Sequence, residues 1–96
     1  MNLTDTDLAY NIGELSEILA KTTDQKLIDG FFTDMFTSAE RKDIAARWAL
    51  LKALKEKVPQ RKIAQKLGIS LCKITRGSKE LHKPNSTLAK MLPTTP

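Results

Sequence analysis

The stretch Gln60-Arg61-Lys62-Ile63-Ala64-Gln65-Lys66-Leu67-Gly68-Ile69-Ser70-Leu71-Cys72-Lys73-Ile74-Thr75-Arg76 decides the fold. Two helices crossing at a steep angle need a small residue where they approach, and Ala64 supplies it. The turn between such helices is short and often holds a glycine free to take positive φ, which is Gly68. Ile63 and Leu67 before the turn, with Ile69 and Ile74 after it, close a small apolar core. Ser70 stands where it can cap the second helix. The spacing predicts a helix-turn-helix over about 60–82, with Leu71, Cys72, Thr75 and Lys79 on the outward face of its second helix.

Outward from this segment the pattern stays helical. Thr37-Ser38-Ala39-Glu40 has the form of a capping box, and Ile44, Trp48, Leu51 and Leu54 then line one face of a helix that ends in the charged turn Lys55-Glu56-Lys57. Pro59 suits the first turn of the helix that follows. Leu8, Ile12, Leu15, Ile18 and Leu19 recur at helical spacing over about residues 4–22. Asp24 caps a second helix, in which Leu27, Ile28, Phe31, Phe32, Met35 and Phe36 make an apolar face too wide for one partner. Asn85 or Ser86 caps a last short helix carrying Leu88, Met91 and Leu92, and residues 93–96 read as a disordered tail. The expected architecture is all-α: a single small multi-helix domain over 1–92, with no strand pattern and no repeat.

Charge divides the chain sharply. Residues 1–36 hold seven acids against two bases, whereas residues 37–96 hold fourteen bases against four acids. A positive potential confined to one half is the expected footprint of a polyanion-binding surface. With the helix-turn-helix it points to double-stranded DNA. Arg61, Lys62, Lys66, Lys73, Arg76, Lys79 and Lys83 are placed for phosphate contacts, and Gln60 and Ser78 complete the candidate DNA-binding set with Leu71, Cys72 and Thr75.

Several functions are excluded or disfavoured by what is missing. No nucleophile–base constellation, glycine-rich phosphate loop or pair of catalytic carboxylates occurs, so an enzyme is not expected. The single cysteine, Cys72, forms no internal disulfide, and no metal-ligand cluster stands out. No apolar run approaches the roughly 18–20 residues of a membrane span, and no secretory signal opens the chain. A cytoplasmic protein without metal or cofactor is the simplest expectation. Trp48 reads as a core anchor, and His82 as the end of the second helix of the pair.

At Ile74-Thr75-Arg76-Gly77-Ser78, followed by Leu81, the chain resembles the bacterial Trp repressor family, which carries this stretch in its recognition helix. Phe36-Thr37-Ser38-Ala39-Glu40-Arg41 is similar to the opening of that family's central helix, and Arg47 follows Thr37 at the family's spacing. The similarity covers roughly residues 30–84. It implies an intertwined homodimer and a repressor of palindromic operator DNA, gated by L-tryptophan as corepressor and acting on tryptophan synthesis or uptake genes. It also implies a corepressor site. There Arg47 and Arg76 sandwich the indole, Arg76 takes the carboxylate, Thr37 lies at the edge and Gly77 lies beside the ring.

Guanidinium suits such a task because its plane stacks on an indole face and also forks onto a carboxylate. The sequence departs from the family at Lys79 and Glu80, where the best-known members have Asn and Ser, and in the turn before Pro59, which lacks the usual glycine. Glu80 falls where the family's serine helps to hold the ligand amine, and a carboxylate there can pair with an ammonium. Three other readings compete with a tryptophan-gated repressor. They are a related regulator with another corepressor or none, the DNA-binding segment of a replication initiator, and a helical protein-interaction bundle.

Overall fold

Most helices of this chain begin where a short polar side chain takes the place of a missing hydrogen bond. In the computed structural model, which describes residues 2–93, Thr4 caps α1 (Asp5–Lys21) in a reciprocal capping box with Asp7. Asp24 accepts from the Lys26 N–H and starts α2 (Gln25–Met35). The next helix, α3, spans Ser38–Lys55. Ser70 accepts from the Lys73 N–H to start α5 (Leu71–His82), and Ser86 accepts from the Ala89 N–H to start α6 (Thr87–Met91). α4 (Gln60–Leu67) opens without a side-chain cap hydrogen bond. Pro59 is its N-cap residue, one position before the expected first turn, and its carbonyl accepts from the Ile63 N–H. No strand occurs among the described residues.

The helices fall into two compact units that divide after Ser38. In the first, α1 and α2 contain no buried residue. Leu8, Ile12, Ile18, Leu27, Phe32 and Met35 are all exposed, Leu27 at 65%. Phe31, Phe32 and Phe36 gather their rings at centroid separations of 5.5–6.0 Å. The wide apolar face read from the sequence is therefore real and largely uncovered.

The second unit holds the core, in two clusters. Leu50, Ile63 and Ile74 form the first, with Ala53, Leu54, Val58, Ala64, Leu67 and Ile69 against them. Ile63 and Ile74 are the largest fully buried side chains, which places the centre of this cluster between α4 and α5. Leu51, Leu81 and Leu92 form the second, packed by Trp48, Leu54, Leu88 and Ala89. Trp48 thus contributes to a core, half-buried rather than enclosed. Of the apolar residues read onto the last short helix, Met91 is 67% exposed, while Leu92 is buried. Leu88 of this five-residue helix and its C-cap residue Leu92 both pack into the second cluster.

Two backbone devices fix the turns. Gly68 ends α4 in the left-handed region (φ 64°), as the sequence requires, and its N–H closes on the Ala64 carbonyl. After α3, Lys57 adopts the same conformation (φ 63°) without a glycine's freedom. The glycine missing before Pro59 is thus replaced by a lysine in a conformation that costs an L residue on the order of 1 kcal/mol. Of the expected tail 93–96, residues 94–96 lie outside the described residues.

Candidate ligand cleft and nucleic-acid interface

The α4–turn–α5 segment is positioned by three local features: the buried Ile63 and Ile74, the left-handed Gly68 and the Ser70 cap. It ends at His82, whose Nδ1–H donates to the Ser78 carbonyl at 2.8 Å. Gln60, Arg61, Leu71, Cys72, Lys73, Thr75 and Lys79 are all exposed, so the predicted outward face of α5 does face outward. Ser78 differs. It is half-buried, and its hydroxyl lies 3.3 Å from His82 Nδ1, so it is the least presented of the candidate set. The Thr75 hydroxyl donates to the Leu71 carbonyl at 2.9 Å and keeps only acceptor capacity for an outside group. Between Gln60 and Lys83 the chain carries seven Lys or Arg side chains against one acid, Glu80.

Behind this face, α3 and α5 border a cleft of about 770 Å³. That volume lies within the roughly 300–1,000 Å³ typical of small-molecule sites. Each helix contributes one stripe at i, i+3, i+4, i+7 spacing: Asp43, Ala46, Arg47 and Leu50 from α3, and Lys73, Arg76, Gly77 and Glu80 from α5. Four of the residues singled out in the sequence, Arg47, Arg76, Gly77 and Glu80, therefore line one space. Thr37 belongs to the first unit, immediately before α3. Lys42, Asp43, Ile69 and Leu88 also line it, and none of them was read from the sequence as part of a ligand site. The spacing from Asp43 to Arg47 and Leu50 was the available signal.

Gly77 also sets how closely the two helices meet. A Cβ at this position would lie 3.2 Å from Leu50 Cδ2 and 3.6 Å from Leu54 Cδ1. A side chain here would require Leu50 to give way by a few tenths of an ångström, so the glycine eases the packing of α5 against Leu50 and Leu54.

The charges of the cleft are unevenly satisfied. Among the described residues, Arg47, Arg76 and Asp43 have no ion-pair partner, although each lines the same cavity. Glu80 is paired, with Lys83 Nζ at 2.7 Å from its Oε2. The hydrogen bond from Lys83, reinforced by its charge, holds the Glu80 carboxyl below the ordinary carboxylate range. The cleft thus offers two guanidiniums without an ion-pair partner and two carboxylates around an apolar lining. Chemically, it can take a small apolar molecule bearing charges of both signs.

Among the described residues no group of His, Cys, Asp and Glu side chains is arranged to hold a metal ion, and no helix is long and apolar enough to cross a membrane.

An all-α protein with a basic, outward-facing helix-turn-helix has the form of a DNA-binding regulator. Residues 10–95 match the family described as Trp repressor protein. A Trp operon repressor homolog of Chlamydia caviae is 39% identical over 70 residues, 72% of this chain and 69% of that protein. One from Chlamydia trachomatis serovar D is 38% identical over 65 residues, 67% of this chain and 69% of its own length. One from Vibrio campbellii is 33% identical over 75 residues, 77% and 75% of the two chains. No solved structure matches significantly. The chain belongs to the Trp repressor family, a family of DNA-binding transcriptional repressors and not of enzymes.

Proposed function

We propose that this protein is a homodimeric, cytoplasmic repressor that binds palindromic operator DNA of tryptophan synthesis or uptake genes when L-tryptophan occupies the α3–α5 cleft, with residues 1–92 acting as one module. The observation that carries this reading is the pair of guanidiniums, Arg47 on α3 and Arg76 on α5, unpaired and lining one cavity behind the DNA-facing helix. A planar aromatic amino acid between them engages both helices at once: its ring against guanidinium faces, its carboxylate on the fork of Arg76. Thr37 at the edge of the site is carried over from the family and belongs to the same proposal.

Such a ligand favours whichever orientation of α5 lets both arginines reach it. If that is the orientation that docks in the major groove, the ligand raises DNA affinity by its differential affinity for the two states. A dimer with two such heads about one DNA turn apart, on the order of 34 Å, calls for a palindrome. The lysines around α4 and α5 add a salt-sensitive, sequence-independent attraction.

The test is operator affinity of the wild type and of Arg47→Leu, each with and without saturating tryptophan, on an operator selected from genomic fragments. Tryptophan is expected to tighten wild-type binding by about 5- to 150-fold, the usual range of allosteric coupling. Arg47→Leu is expected to lose that gain and keep the weak background. Equal wild-type affinity in both conditions rejects the corepressor and leaves a constitutive DNA binder.

A further inference from the structure

α3 turns two of its faces to open space. One borders the cleft described above. The other, with the turn at Val58 and α4, borders a separate groove of about 420 Å³. Leu67 is the one residue common to both linings, and the whole groove lies within the second unit. Its uncharged lining is apolar throughout. Ala49 and Ala53, one turn apart on α3, leave room that longer side chains would fill, and Val58, Ile63 and Leu67 supply the rest. The volume falls in the lower part of the roughly 300–1,000 Å³ typical of small-molecule sites.

The charges around this lining are unbalanced. Lys52, Lys62 and Lys66 contribute three ammoniums against the single carboxylate of Glu56. All four residues are exposed, and among the described residues none of them has an ion-pair partner. Lys62 and Lys66 stand one turn apart on α4, which carries no acid of its own, so their charges repel and weaken the helix. A hydrated inorganic anion would answer the charge and leave the apolar lining wet. A neutral apolar molecule would do the reverse. A molecule with both parts satisfies both needs. A DNA backbone meets the first need alone, because its phosphates carry no apolar body, and Lys52 belongs to α3, outside the helix-turn-helix.

We propose that the α3–α4 groove is a small-molecule site of its own, which takes an amphiphilic organic anion. Its carboxylate stands among Lys52, Lys62 and Lys66, and its short apolar body lies against Ala49, Val58 and Leu67. Such a ligand bridges α3 to the first helix of the helix-turn-helix. The site shares no charged residue with the α3–α5 cleft, so it does not depend on the corepressor reading.

Titration of the full ¹⁵N-labelled chain with octanoate, followed through its amide chemical shifts, tests the site. Octanoate is expected to shift the amides of residues 49–58 and 62–67 saturably. Acetate, the head without the chain, is expected to bind at least about tenfold more weakly, because the burial of the chain is lost. Octylammonium, the chain with the opposite charge, is expected to bind at least about fivefold more weakly. Lys52→Gln, Lys62→Gln and Lys66→Gln are each expected to weaken octanoate by about two- to fivefold, the range of an exposed ion pair. Ala49→Leu fills the groove without touching a charge and is expected to abolish saturable binding. The amide spectrum of each variant shows directly whether it folds, and the three exposed lysines keep the test open if Ala49→Leu does not.

Octylammonium binding as tightly as octanoate, or shifts confined to α1 and α2, overturns the proposal. A random DNA duplex that shifts the same amides and loses affinity in Lys52→Gln also overturns it, because the groove is then part of the DNA surface. None of these measurements involves tryptophan, so failure here leaves the corepressor reading standing.

Discussion

α1 and α2 bury no residue, while the unit from Ala39 onward encloses two clusters with Ile74 fully inaccessible. The first unit draws its charge from acids and the second from bases. Both units are well capped and helical, so the contrast does not lie in local propensity. It lies in where each apolar face finds its partner. The second unit meets its own needs: the α4–α5 pair closes on Leu50, and α6 closes on Leu51. The first leaves Leu8, Ile12, Leu27 and Met35 in water. An exposed apolar surface of this extent marks an association site more often than a tolerated defect. The lesson is that helix formation and fold completion are separate achievements, and one chain of this protein has the first throughout and the second only in part.

Substitutions in the two units should therefore fail in different ways. The largest effect is expected at Ile74→Ala, which empties the centre of the first cluster and should cost about 2–5 kcal/mol in denaturant unfolding. A loss well under 1 kcal/mol there would show that the second unit is not the self-sufficient one. Leu27→Asp places a charge on a face with no burial within the chain, so the folded unit itself should lose little. If that face is covered by a second copy, sedimentation at micromolar concentration should show a dimer for the wild type and a shift toward monomer for the variant. A variant as dimeric as the wild type would erase the distinction. The smallest effect is expected at Lys57→Gly. Relief of the left-handed lysine, partly offset by glycine's chain entropy, should raise stability by about 0.5–1 kcal/mol. Destabilisation would mean that the turn after α3 draws on the Lys57 side chain.

How much of this was legible in the sequence follows from how far apart the interacting residues are. Gly68, Ser70 and the pairing of Ile63 with Ile74 lie within a dozen residues of one another, and each has a residue type suited to one conformation. They could be read directly. Arg47, Arg76, Gly77 and Glu80 were found through the family pattern, and their meeting along one cleft required the fold. Other features gave no signal. Lys55 looks like part of a charged turn, yet its ammonium donates to the carbonyls of Ala89 at 3.2 Å and Leu92 at 3.1 Å, across 34 and 37 residues. The turn at Lys57 was missed because lysine carries no mark of positive φ. Met91 and Leu92 are adjacent and both apolar, so only the packing separates the exposed one from the buried one.

The Lys55 contact has a consequence for cooperativity. A five-residue helix has too few internal hydrogen bonds to persist in water by nucleation and growth alone. α6 exists because Leu88 and Leu92 pack on the second cluster and because one ammonium from the last turn of α3 occupies carbonyls at its C-terminal end. Fraying of α3 at Lys55 removes that ammonium, and loss of α6 uncovers Leu51 and Leu81. The two segments, distant in sequence, are thereby linked, and opening of either is expected to weaken the other.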